Sequence, residues 1–182
     1  MKRALLIIDY TDDFIADEGA LTVGKPGQDL HAYILGLAEG FYGAGDYLAF
    51  MVDEHEPDDP YHPETQLFPP HNLAGTPGQE MYGDLQKFYE SIQDSPQTLH
   101  RMKTRYSAFA GTDLFIKLRE RQINELHLVG VSTEICILHT AIDAFNLGFK
   151  VYIHQEGVAS FSSEGHEWAL NHFRNVLGFA VI

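Results

Sequence analysis

Leu126-His127-Leu128-Val129-Gly130, then Val131-Ser132-Thr133, then Glu134-Ile135-Cys136-Ile137-Leu138 and onward to Leu147-Gly148, is the stretch that decides the fold. A short apolar run gives way to Thr133, a residue type that caps helix N-termini. Apolar positions at helical spacing follow, and a glycine closes the segment. The same unit recurs along the chain. Residues 5–8, 47–52, 98–102, 126–130, 151–154 and 179–182 read as strands, and residues 28–42, 113–121, 134–147 and 164–177 as helices. Thr112 and Ser163 are further N-cap types, and Gly178 follows the last helix. Strand–helix alternation predicts an α/β fold with a parallel sheet covered on both faces.

The 182 residues suit one domain spanning the whole chain. Hydrophobic residues make up 45% and charged residues 21%, the composition of a globule and not of a disordered chain. Twenty-six acidic against twelve basic residues give a net charge of −14, which repels phosphate backbones and anionic lipid. Neither nucleic acid nor a membrane is therefore an expected partner. The apolar run after Met1-Lys2-Arg3 stops at Asp9 and not at a small-residue cleavage site, so it reads as a buried strand and not a signal peptide. A single cysteine, Cys136, excludes an intrachain disulfide and suits a reducing cytoplasm.

In doubly wound α/β proteins, ligands bind beyond the carboxyl ends of the strands, where strand order reverses. The polar residues at those ends are Asp9, Asp53, Lys103 and Ser132-Thr133. With Thr133 as N-cap, Cys136 is the third residue of its helix, where the dipole and free amides favour a thiolate. A nearby Lys103 would do the same, whereas a nearby Asp9 would raise the thiol but offer a base for its proton, so nucleophile, proton acceptor and balancing cation make a coherent set. The bland alternative for Cys136 is a small buried core residue.

Residues 54–79 form the irregular part, with six of the eight prolines and three histidines. Long structureless stretches inside compact domains are usually functional. Asp53 and His55 share a face of extended chain, and His62, Glu64 and His71 follow within a folded loop. Imidazoles with carboxylates suit zinc and, less selectively, iron or manganese. The remaining histidines, among them His127, His154 and His166, read as surface or satisfied core residues.

Ile8-Asp9-Tyr10-Thr11-Asp12-Asp13-Phe14, Asp53-x-His55, Phe68-Pro69-Pro70-His71, Gly75-Thr76-Pro77-Gly78, Lys103-x-x-Tyr106-Ser107-Ala108-Phe109 and Gly130-Val131-Ser132-Thr133-Glu134-Ile135-Cys136 occur in that order. Together they resemble the isochorismatase-like cysteine hydrolases, and the metal-binding stretch is similar to the nicotinamidase/pyrazinamidase branch. The resemblance covers nearly the whole chain. It implies a Rossmann-like three-layer α/β/α sandwich around a six-stranded parallel sheet, and hydrolysis of nicotinamide to nicotinate and ammonia in NAD salvage. It further implies Cys136 as nucleophile, Asp9 as general base and acid, and Lys103 as the third member. A cis Val131–Ser132 bond would aim the Ser132 and Cys136 amides at the oxyanion.

Asp53, His55 and His71 match the family's metal ligands, with one divalent ion per chain, zinc first and manganese or iron as alternatives. His62 and Glu64 compete for the remaining position, and the local string is similar to the glutamate-using subgroup. Phe68 stands where many relatives carry Trp and keeps an aromatic face for a pyridine ring. Phe14 and Tyr106 are the expected rest of an aromatic clamp. Thr11 stands where many relatives have Gln. The chain stops soon after its last strand, whereas relatives often run further, so an oligomer contact or tail is expected to be missing. A homo-oligomer is the expected assembly. A metal-independent amidase of the same superfamily and a silent α/β binding module are the competing readings.

Overall fold

The computed structural model describes residues 2–182. In chain order the elements are β1 (Lys2–Ile8), α1 (Asp12–Ile15), α2 (Lys25–Gln28), α3 (His31–Gly43), β2 (Tyr47–Asp53), α4 (Asp84–Ile92), β3 (Thr98–Lys103), α5 (Leu114–Glu120), β4 (Ile123–Val131), α6 (Leu138–Asn146), β5 (Lys150–Ala159), α7 (Ser163–Asn175) and β6 (Ala180–Val181). A 3₁₀ turn at Pro77–Gln79 lies before α4, and a π-helical turn at Thr133–Ile137 leads into α6. Within the described residues the strands form a six-stranded parallel sheet in the order β3-β2-β1-β4-β5-β6.

Side chains of β1 alternate between two apolar layers because the strand period is two. Leu6 and Ile8 pack with Leu114, Leu118, Ala141 and Phe173 from α5, α6 and α7. Leu5 and Ile7 pack with Phe14, Ile34, Phe41 and Leu85 from α1, α3 and α4 on the other face. Burial on both faces explains why the central strands read as continuous apolar runs.

The chain winds outward from β1 to β3, then returns to the middle and winds the other way through β4, β5 and β6. Strand order therefore reverses between β1 and β4, and a crevice opens beyond their carboxyl ends. Gly130 makes the close approach there possible. Its φ is +119°, and a Cβ would lie 1.9 Å from the Ile8 carbonyl oxygen of the neighbouring strand. Gly130→Ala is expected to cost at least about 3 kcal/mol through backbone overlap and an unfavourable φ. That corresponds to a melting temperature lower by roughly 10 °C for a chain of this size, or to loss of soluble protein. Thermal melting of the variant checks it, and a melt within a degree or two of the parent would refute the packing.

Several expected boundaries are corrected. The caps Ser132 and Ser162 each lie one residue before the expected Thr133 and Ser163, whereas Asp113 lies one residue after the expected Thr112. Ser162 Oγ accepts from the Gly165 amide at 3.0 Å. α1, α2 and α4 were not expected. In α4 the residues Leu85, Phe88, Tyr89 and Ile92 pack on the core at helical spacing, a legible signal inside an otherwise polar sequence.

His127 of β4 and His154 of β5 are satisfied core residues, as expected. His154 Nδ1 bonds the Tyr33 hydroxyl at 2.8 Å, and its Nε2 bonds His127 Nδ1 at 2.8 Å. His127 Nε2 reaches Glu125 at 3.3 Å. Burial, and secondarily His127, push His154 down to about 4. The unfolded chain takes up this proton near pH 6.5 and the folded chain only near pH 4, so stability is lost as pH falls through that window. The loss between pH 7 and 5 is expected to be about 2 kcal/mol from this group. Urea unfolding at the two pH values should show that slope, and His154→Gln should flatten it. An unaltered slope in the variant would exclude His154 as its source.

Candidate active site

The crevice gathers side chains from the ends of β1, β2, β3 and β4. Asp9 follows β1 with φ +54°, and its amide donates to the Met51 carbonyl at 2.9 Å. Its Oδ1 accepts the Asp53 amide at 2.8 Å, which binds the end of β1 to that of β2. Asp53 and Lys103 are register partners across β2 and β3, so the sheet itself sets them side by side. Lys103 Nζ lies 2.7 Å from Asp9 Oδ2, 3.4 Å from Asp53 Oδ1 and 3.7 Å from Cys136 Sγ. It also donates to the Arg105 carbonyl at 3.1 Å. Asp9, Asp53, Lys103 and Cys136 are all buried.

Burial is the first influence on each of these groups, and the neighbours then separate them. Asp9 is raised to about 6 because desolvation outweighs the attraction of Lys103. Asp53 is lowered: burial opposes its charge, but Lys103 and the imidazoles of His55 and His71 more than offset it. Lys103 is held well above its ordinary value, since Asp9, Cys136 and Asp53 outweigh its desolvation. Cys136 is pushed well above the ordinary thiol range by burial and then by Asp9, with Lys103 opposing.

Of the two opposed influences expected on Cys136, the carboxylate outweighs the helix position. Cys136 lies in the π-helical turn Thr133–Ile137 capped by Ser132, and the adjacent carboxylate and desolvation override the dipole. The resting group is a thiol within hydrogen-bonding reach of Asp9, and the arrangement is suited to proton transfer from sulfur to carboxylate. The Val131–Ser132 peptide is cis.

A second cluster adjoins the first. Asp53, His55, Glu64 and His71 each offer an atom within 4.8 Å of the others, and all four are buried. Short bridging bonds shape the loop that brings them in. The His55 amide donates to the Asn72 carbonyl at 3.0 Å, and the Ala74 amide to the His55 carbonyl at 2.9 Å. The Asn72 amide donates to Asp13 at 2.6 Å, while Thr11 Oγ1 donates to Asn72 Oδ1 at 3.0 Å. His71 Nδ1 is held by the Pro69 carbonyl at 2.8 Å, which turns Nε2 toward the carboxylates. That Nε2 is buried with no hydrogen-bond partner among the described residues. A buried orphan nitrogen among two carboxylates and a second imidazole fits a divalent cation.

His62 stands aside from this group. Its Nε2 bonds the Thr104 carbonyl at 2.8 Å and its Nδ1 accepts the Glu64 amide at 3.3 Å, so it positions Glu64 through the backbone.

A cleft adjoins both clusters. Phe14, Phe68 and Tyr106 line it as expected, with Asp53, Glu64, His71, Ser132 and Cys136. Leu21, Ile135 and Phe161 also line it and were missed. Phe161 follows the end of β5, so the strand-end rule extended by one strand points to it. The Phe14 ring lies 5.3 Å from that of His71 and the Phe68 ring 6.2 Å. The cleft is largely apolar with a few polar groups in its lining, which suits a small aromatic ring bearing a polar group.

The isochorismatase domain profile matches residues 3–182. The chain belongs to the isochorismatase family. Among solved structures of this family, nicotinamidase/pyrazinamidase PncA of Bacillus subtilis is 57% identical with a TM-score of 0.97, covering 100% of this chain and 99% of that one. The pyrazinamidase/nicotinamidase of Streptococcus mutans is 50% identical, also at 0.97, with 100% of both chains covered. The pyrazinamidase of Pyrococcus horikoshii, solved in complex with zinc, is 27% identical with a TM-score of 0.87, covering 100% of this chain and 99% of that one. The expected α/β family fold is thus met, and among the described residues no helix is long and apolar enough to cross a membrane.

Proposed function

We propose that this isochorismatase-family chain is a nicotinamidase, converting nicotinamide (and pyrazinamide) to nicotinate and ammonia in NAD salvage in the cytoplasm. The carrying observation is an aromatic cleft lined both by Cys136, which has Lys103 and Asp9 beside it, and by Asp53, Glu64 and His71 of the four potential metal ligands. Likeness over full length to enzymes named for this activity supports the same reading. Asp53, His55, Glu64 and His71 would hold one divalent ion, zinc in the first instance. When bound, the ion supplies Lewis acidity able to orient a pyridine nitrogen.

Phe14, Phe68 and Tyr106 hold the ring and exclude water from the reacting bond. The Cys136 sulfur attacks the carboxamide carbon as Asp9 takes the thiol proton. A C–S bond forms, and the carbonyl π electrons move to oxygen. The Ser132 and Cys136 amides receive that oxyanion, each such donor being worth about 3 kcal/mol. Asp9 returns the proton to nitrogen, the C–N bond breaks, and ammonia leaves behind a thioester. Asp9 then accepts a proton from water, whose oxygen adds to the acyl carbon. Collapse breaks the C–S bond, releases nicotinate and restores the thiol. A carboxylate raised to about 6 is matched to such two-way traffic. Lys103 balances Asp53 throughout and Asp9 whenever Asp9 is ionised.

Ammonia release from nicotinamide by the purified protein, run beside elemental analysis, tests the proposal. Release with about one divalent ion per chain is expected. Bound metal without release would move the substrate elsewhere, and release from a metal-free protein would favour the metal-independent amidase.

A further inference from the structure

We infer that His166, on the first turn of α7, is a positioning residue for the turn that carries Cys136. The inference rests on the cysteine mechanism proposed above. Thr133 Oγ1 and His166 Nδ1 are joined by a hydrogen bond of 2.8 Å, and Thr133 is fully buried directly beside Ser132. That hydroxyl has no other protein partner among the described residues. A second contact fixes the same two segments together. A Cβ on Gly165 would lie 2.6 Å from the Glu134 carboxylate, so the absence of a side chain there lets Glu134 lie against α7.

The start of α7 is itself held by the Ser162 cap, and the preceding Phe161 lines the cleft. One helix start therefore touches both the wall that faces the ring and the turn that carries the thiol. The Thr133–Ile137 turn is π-helical, and only in α6 beyond it does the chain settle into regular α-helix. Its alignment consequently depends on side-chain anchors more than a regular helix would. Loss of the His166 anchor leaves a buried hydroxyl unpaired and frees the turn to shift Cys136 Sγ away from Asp9.

The test compares His166→Leu, which keeps bulk without an acceptor, with His166→Asn, whose amide can serve either role toward Thr133. In the first, kcat for nicotinamide is expected to fall about tenfold with KM and bound metal unchanged. The second should recover most of it. Thr133→Val should match His166→Leu, and the double variant should be no worse than either alone. Alkylation of Cys136 by iodoacetamide supplies a readout independent of nicotinamide. In it a C–S bond forms, iodide leaves and Asp9 takes the thiol proton, and His166→Leu should slow it about tenfold while His166→Asn restores it. Wild-type rates of alkylation and turnover in His166→Leu would overturn the inference, as would additive losses in the double variant. A wild-type protein that alkylates as expected but releases no ammonia would instead contradict the proposed substrate.

Discussion

Cys136→Ala is expected to abolish ammonia release from nicotinamide, lowering the rate on the order of 10⁴-fold or more, as loss of a nucleophile does elsewhere. The fold should survive, since the side chain is small and alanine leaves little cavity. Metal content should also survive, because none of the four clustered candidate ligands belongs to the π-helical turn. Activity assay, circular dichroism and elemental analysis on one preparation separate these effects. Robust turnover in the variant would sink covalent catalysis. The large effect follows from the chemistry of the site: Asp9 and Lys103 can move and balance a proton, but neither can replace sulfur as the attacking atom.

His71→Ala carries the second large effect. The Nε2 of His71 is buried, has no hydrogen-bond partner among the described residues and lies 3.5 Å from Asp53 Oδ2, a placement that fits a ligand to an ion. Even a supporting partner of a ligand is worth 10–100-fold in metal affinity, so deleting the ligand is expected to cost more than about 100-fold. Zinc retained after dialysis against a chelator should drop from about one per chain to near zero, and KM for nicotinamide should rise steeply. Unchanged stoichiometry would show that other atoms hold the metal.

The strand-end rule made Asp9, Asp53, Lys103 and Ser132-Thr133 legible before any coordinates, because each apolar run stops at a polar residue. What it could not reveal was the register that pairs Asp53 with Lys103 and the reversal that brings β4 beside β1. Long-range pairing decides both. Which of the opposed influences on Cys136 would win was not legible for a related reason. Helix position is a local property, whereas desolvation and the Asp9 carboxylate come from packing. The string around Glu64 favoured it by resemblance, but the bond that holds His62 on the Thr104 carbonyl comes from beyond that loop. No spacing within residues 54–79 encodes it. Phe161 and α4, in contrast, were readable from strand-end position and helical spacing.

The central claim is that acyl transfer passes through Cys136. Turnover of nicotinamide in the presence of hydroxylamine tests it most directly, because a thioester partitions between water and the added nucleophile. Nicotinohydroxamate should form in rising proportion with hydroxylamine concentration while the rate of ammonia release stays level. Nicotinate as the only product at every hydroxylamine concentration would contradict the covalent route.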